Sequence, residues 1–85
     1  MGAYEILFKE SVWKDLRKVP KNILKKILAR IEMLGDDPRP KGCEKLTDQE
    51  LYRVRQGDYR IVYSIQDNAL TIWVVKVGHR KGVYR

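Results

Sequence analysis

Hydrophobic and polar positions follow three different rhythms along these 85 residues. Residues 3–8 (AYEILF) are rich in β-formers and predict a first strand. From residue 9 the spacing lengthens. Val12, Leu16 and Val19, with Trp13 beside them, form an apolar stripe among Lys and Arg, which predicts a helix over 9–19 with Trp13 in the core. Pro20 closes that helix and can open the next, because proline is tolerated in a first helical turn. Ile23, Leu24, Ile27, Leu28, Ile31 and Leu34 recur at helical spacing over 21–34, with Gly35 as a C-terminal cap and Asp36-Asp37-Pro38-Arg39-Pro40 as the stop. Two helices joined tightly at a proline predict a helical hairpin. Residues 41–50 (KGCEKLTDQE) show no period and read as a loop. Period two then returns in three runs, 51–56, 59–66 and 69–77, separated by the turn pairs Gly57-Asp58 and Asp67-Asn68.

The expected fold is therefore a single α+β domain over residues 1–85, in the order β-α-α-β-β-β. A mainly antiparallel four-stranded sheet carries the helical hairpin on one face. Two-residue turns also set a register. Arg55 falls opposite Arg60 and Arg53 opposite Val62; across the second turn, Val62 falls opposite Trp73 and Arg60 opposite Val75. The face toward the helices then holds Tyr52, Val54, Tyr59, Ile61, Tyr63, Ile65, Leu70, Ile72 and Val74. The other face gathers Arg53, Arg55 and Arg60 around Val62, Trp73 and Val75. Trp73 is open to three readings: a stacking surface, a partner contact, or a ring covered by the chain's last residues.

Charge sharpens this picture. The net charge is +7, and residues 51–85 hold 7 Lys/Arg against 2 Asp/Glu, whereas residues 1–50 are nearly balanced. A basic face of arginines is the footprint of a phosphate-backbone binder, since guanidinium grips phosphate oxygens with two bonds and keeps its proton. Cys43 stands alone, so no internal disulfide is expected, and one Cys with one His (His79) makes no soft-ligand metal site. No apolar run approaches the ~20 residues that cross a bilayer, and the chain does not open like a secretory leader. The expectation is a cytoplasmic protein with no membrane association.

After the last predicted strand comes Gly78-His79-Arg80-Lys81-Gly82-Val83-Tyr84-Arg85, which adds a His, three cations and a Tyr to the same sheet. Aromatic rings interleaved with cations suit single-stranded RNA, whose unstacked bases need a flat surface. The segments LYRVR (51–55), GDYRIVY (57–63) and VKVGHRKGVY (75–84), with the order of elements around them, resemble the RelE branch of the RelE/ParE toxin superfamily.

That resemblance implies a toxin of a type II toxin–antitoxin pair, acting as a ribosome-dependent mRNA endoribonuclease that cuts in the A site and stops translation. It carries over residue by residue to Arg53 and Arg55 on one strand, Arg60 on the next, and Arg80 and Tyr84 in the tail. Well-known members have lysines at the first two positions, and arginine is a much poorer proton donor than lysine. The implied reaction is attack by the RNA 2′-hydroxyl on the adjacent phosphate, which leaves a cyclic phosphate and a free 5′-hydroxyl and uses no metal or cofactor. It needs a proton acceptor, a proton donor and positive charge around the transition state. Tyr84 is the candidate base or a base-stacking platform, and His79 can donate or accept a proton. Arg60 and Arg80 are candidates for stabilising the transition state, and Arg53, Arg55, Lys81 and Arg85 for holding RNA. The implied partners are a RelB-like antitoxin, the ribosome and mRNA, with the toxin–antitoxin complex binding operator DNA through the antitoxin. The alternative is a ParE-like toxin that inhibits gyrase through its surface and catalyses nothing.

Overall fold

A computed structural model describes residues 2–46 and 50–79. Strand β1 (Glu5–Phe8) leads directly into helix α1 (Glu10–Arg17), and α2 (Lys21–Leu34) follows after Pro20. Pro20 sits at the N-cap of α2, where its carbonyl accepts from the Ile23 and Leu24 amides at 3.0 and 2.8 Å. A two-residue strand β2 (Glu44–Lys45) precedes β3 (Tyr52–Gln56), β4 (Tyr59–Gln66) and β5 (Thr71–His79). The five strands form one sheet in the order β1-β5-β4-β3-β2. Strand β1 runs parallel to β5, and every other pairing is antiparallel. Among the described residues no helix is long and apolar enough to cross a membrane.

The α+β class and the helical hairpin stand as the pattern predicts. Val12, Leu16 and Val19 from the first helical segment, and Ile27, Ile31 and Leu34 from α2, pack on Val54, Ile61, Tyr63, Ile72, Val74 and Val77 of the sheet. Gly35 ends α2 in a right-handed conformation, not a left-handed cap. Its value there is closeness: an added Cβ would sit 3.2 Å from the Tyr4 carbonyl oxygen, while the Tyr4 amide bonds the Gly35 carbonyl at 3.1 Å. Tyr63 is fully buried and donates to the Pro38 carbonyl at 2.7 Å. With that proton committed, the Cys43 thiol 3.2 Å away is the donor to the phenol oxygen. Burial pushes the Tyr63 phenol far above its ordinary pKa, and the Cys43 contact adds to this. Both bonds tie the segment after α2 onto the sheet.

Several details depart from the sequence reading. The sheet has five strands, not four, because Glu44 and Lys45 pair with Arg53 and Tyr52; two residues are too few to display a period. The β3–β4 register is as expected, with Arg53 opposite Val62 and Arg55 opposite Arg60. The β4–β5 register is not. Its connection is four residues long, a 3₁₀ turn over Asp67–Ala69 followed by Leu70 in the left-handed region at φ 48°. Leu70 is therefore exposed and not in the core, and Trp73 lies opposite Ser64 in place of Val62. Further along, Val74 faces Tyr63 and Lys76 faces Val62, so Val75 is an extra residue, a β-bulge. Gly78, not Val75, consequently faces Arg60. The bulge turns Val77 into the core, where it is 1% exposed. Trp13 is not core either: it is 49% exposed, tilted against Phe8 with ring centroids 4.8 Å apart.

A polar staple closes the end of the sheet at the β4–β5 turn. The two terminal guanidinium nitrogens of Arg39 donate to the Asp67 carboxylate at 3.3 and 3.0 Å, and Tyr4 donates to it at 2.8 Å. The Arg39 guanidinium also lies over the Tyr52 ring, 5.2 Å from its centroid. Arg39 first, and then Tyr4, hold the Asp67 carboxyl below its ordinary pKa.

Candidate nucleic-acid interface

Three arginines reach the sheet face opposite the helices because strict alternation in β3 and β4 sends Val54 and Ile61 to the core and their neighbours outward. The tight Gly57-Asp58 turn, with Gly57 at φ 61°, fixes that alternation from both sides. Arg55 and Arg60 face each other directly across the two strands. With Gly57, Asp58 and Tyr59 they line an open cleft of about 180 Å³. Like charges directly opposite on neighbouring strands destabilise a sheet. An anion lying between two such cations offsets that cost.

Arg53 is engaged differently. Its guanidinium is paired with the Glu44 carboxylate, its register neighbour on β2, and its side chain is only 12% exposed. The buried Val62 lies between Arg53 and Lys76 in the register. Lys76 reaches back to Asp15 of α1 at 3.6 Å, and the same carboxylate accepts from the Val77 amide at 3.3 Å. That amide lies on the flank of β5 that β1 has already left, so Asp15 stands in for a missing strand. Sequence pattern gave no sign of this contact, which depends on the bulge.

His79 ends β5 directly opposite Tyr59, whose side chain packs against the core, and the two rings meet edge to face with centroids 5.5 Å apart. His79 therefore lies on the helix side of the sheet. It lines clefts there with Asp15, Lys18 and Lys76, and with Ile23, Lys26 and Gln56. Simple alternation from Trp73 would have sent it to the arginine face; the extra residue at Val75 reverses that. The structure thus brings Arg55 and Arg60 together, ties Arg53 to Glu44, and puts the His79 ring on the other side. Arg80, Lys81, Tyr84 and Arg85 lie outside the described residues.

Residues 6–84 match the sequence model of the family described as the ParE toxin of the type II toxin–antitoxin system parDE. The chain belongs to the RelE/ParE toxin superfamily. It is 33% identical over 86 residues to the putative toxin RelE1 of Methanocaldococcus jannaschii, a match covering 96% of each chain. Its fold is similar to that in the crystal structure of the archaeal RelE–RelB complex from Pyrococcus horikoshii, with a TM-score of 0.83 and 29% identity, covering 95% of this chain and 99% of that one. The mRNA interferase toxin RelE of Escherichia coli is 25% identical over 81 residues, covering 93% of this chain and 85% of that protein. Within the superfamily, this chain is similar to RelE-named toxins of type II toxin–antitoxin systems.

Proposed function

We propose that residues 1–85 act as one toxin domain, a metal-independent endoribonuclease that cuts mRNA in the ribosomal A site. The observation that carries this reading is the Arg55–Arg60 pair, two cations set face to face beside an open cleft. The name of the E. coli relative and the basic balance of residues 51–85 support it. RNA laid across that face meets Arg55 and Arg60 first. Arg55 holds the backbone, and Arg60 stabilises the charge that grows on the phosphate as the 2′-hydroxyl attacks. Arg53 contributes its field more than its hydrogen bonds, which Glu44 occupies.

In the proposal Arg80 adds charge to the transition state, Tyr84 accepts the 2′-hydroxyl proton or stacks a base, the leaving 5′-oxygen takes its proton from water, and Lys81 and Arg85 hold RNA. Since the His79 ring packs on Tyr59, proton transfer is assigned to Tyr84 ahead of His79. A tyrosine acting as a base does so as the phenolate, a form that positive charge brought close to it favours. The cell context is the cytoplasm, where translating ribosomes are. The natural partner is a RelB-like antitoxin with an acidic or amphipathic toxin-binding segment, and the joint complex binds operator DNA through the antitoxin. The neighbour from P. horikoshii, itself a RelE–RelB complex, supports that pairing.

A second reading has its own observation, because the matching family model is described as a ParE toxin. A ParE-like protein would inhibit gyrase and cut nothing. Primer extension on translated and on ribosome-free mRNA, run beside a gyrase supercoiling assay, separates the two. Scission only on ribosomes, strongly slowed in Arg60→Ala and reduced in Tyr84→Phe, is expected. Inhibited supercoiling with intact mRNA would transfer the chain to the second reading.

A further inference from the structure

Among the described residues strand β1 is an edge of the sheet, and it lacks the devices that usually keep an edge from pairing. Between Glu5 and Lys9 it reads Ile6-Leu7-Phe8, with no charge, proline or bulge, and all three side chains are half-buried. Its hydrogen bonds show which groups are left over. The Glu5 and Lys9 amides donate inward to the Leu70 and Val74 carbonyls at 2.8 and 2.9 Å. By the alternation of a parallel ladder, the N–H and C=O groups of Ile6 and Phe8 point outward, away from β5.

The exposed apolar surface gathers at the same edge. Trp13 lies tilted against Phe8, and Leu28, 40% exposed, lines a groove of about 250 Å³ with Ile6, Phe8 and Ile31. On the other face Trp73, 38% exposed, is the register partner of Leu7. Exposed apolar side chains on both faces of one edge mark it as an association surface.

From these observations we infer that β1 is the contact strand of a homodimer, pairing antiparallel with β1 of a second copy across a two-fold axis through Leu7. What selects a second copy is that the strand is complementary to itself. Outward-pointing groups must face one another, so Ile6 pairs with Phe8 of the second copy and exchanges both backbone bonds with it. Leu7 then meets Leu7. The same register puts Glu5 opposite Lys9 twice, once on each side of the axis, so every charge flanking the apolar triplet meets its opposite. Such two-fold self-complementarity is the signature of an isologous interface. The helices of both copies lie on one side of the joined sheet, and the Leu28 groove of each faces the other.

Sedimentation velocity on the full chain tests this with exposed residues whose exchange leaves the core untouched. The wild-type chain is expected at twice the monomer mass. Glu5→Lys alone or Lys9→Glu alone sets like charges opposite twice and weakens dimerisation by about tenfold. The double exchange restores the dimer. Mixing the two single variants also restores it, as a heterodimer in which each charge again meets its opposite. A wild-type chain that stays monomeric, a dimer indifferent to the exchanges, or a mixture no tighter than its components would each overturn the proposal.

Discussion

At its β3 edge the sheet turns a charged face to the solvent, and at its β1 edge an apolar one. The β3 edge is trimmed by the two-residue strand β2, whose Glu44 takes up Arg53, and behind it Arg55 and Arg60 face each other. The β1 edge holds Ile6, Leu7 and Phe8, rimmed by Trp13, Leu28 and Trp73. The core between them is shared, so stability does not require the two edges to differ. What the contrast teaches, on the two proposals above, is a division of labour in which one edge takes a polyanion and the other a protein strand.

The sharpest break in that contrast is Arg60→Ala. In the proposed reaction Arg60 stabilises charge in the transition state, so its removal is expected to slow ribosomal mRNA cleavage by roughly a hundredfold. Leu7→Lys, at the other edge, should leave the single-turnover rate unchanged at equal protomer concentration. If both variants lost activity alike, the division between the edges would fail.

Next in size is a test of what joins the edges. Val77 is held in the core only because Val75 is bulged. Val77→Ala should cost about 2 kcal/mol in denaturant unfolding, as for other buried truncations. Val75→Ala, at a residue with no opposite partner in the ladder, should cost much less. Equal costs would mean that β5 is straight and that the His79 ring lies on the arginine face.

That bulge also marks where sequence pattern stops being informative. The helices and the β3–β4 hairpin could be read because their apolar spacing is unbroken and Gly57 suits a positive φ. The arginine face followed from them. The β4–β5 hairpin could not, because nothing in a leucine announces the left-handed conformation that Leu70 adopts. Val74 and Val75 are equally apolar, so the extra residue leaves no local mark; only the spacing Ile72, Val74, Val77, two and then three, hints at it. The place of His79 depends on that single insertion. Trp13 looked like core because the stripe beside it is core, although its neighbours' spacing already filled the buried face.

A smaller effect sharpens the charged edge. Glu44→Gln removes the carboxylate that pairs with Arg53 and so raises the positive potential around it. Binding of single-stranded RNA by the isolated toxin should tighten several-fold, with a steeper fall on added salt. An unchanged affinity would place the RNA path wholly on Arg55, Arg60 and the tail.

The smallest expected effect comes from the Arg39–Asp67–Tyr4 staple, which belongs to neither edge and so calibrates both. Because the folded state holds the Asp67 carboxyl below its ordinary value of 3.8, its contribution is fully present above that value. It is lost as pH falls through the lower, folded pKa. Asp67→Asn should therefore melt slightly below the wild-type chain at neutral pH, and the gap should close on acidification below about pH 4. The carboxylate and guanidinium are both half-exposed, so high salt at neutral pH should narrow the same gap. A gap that ignored both pH and salt would mean that Arg39 works through its stacking on Tyr52, with Asp67 a bystander.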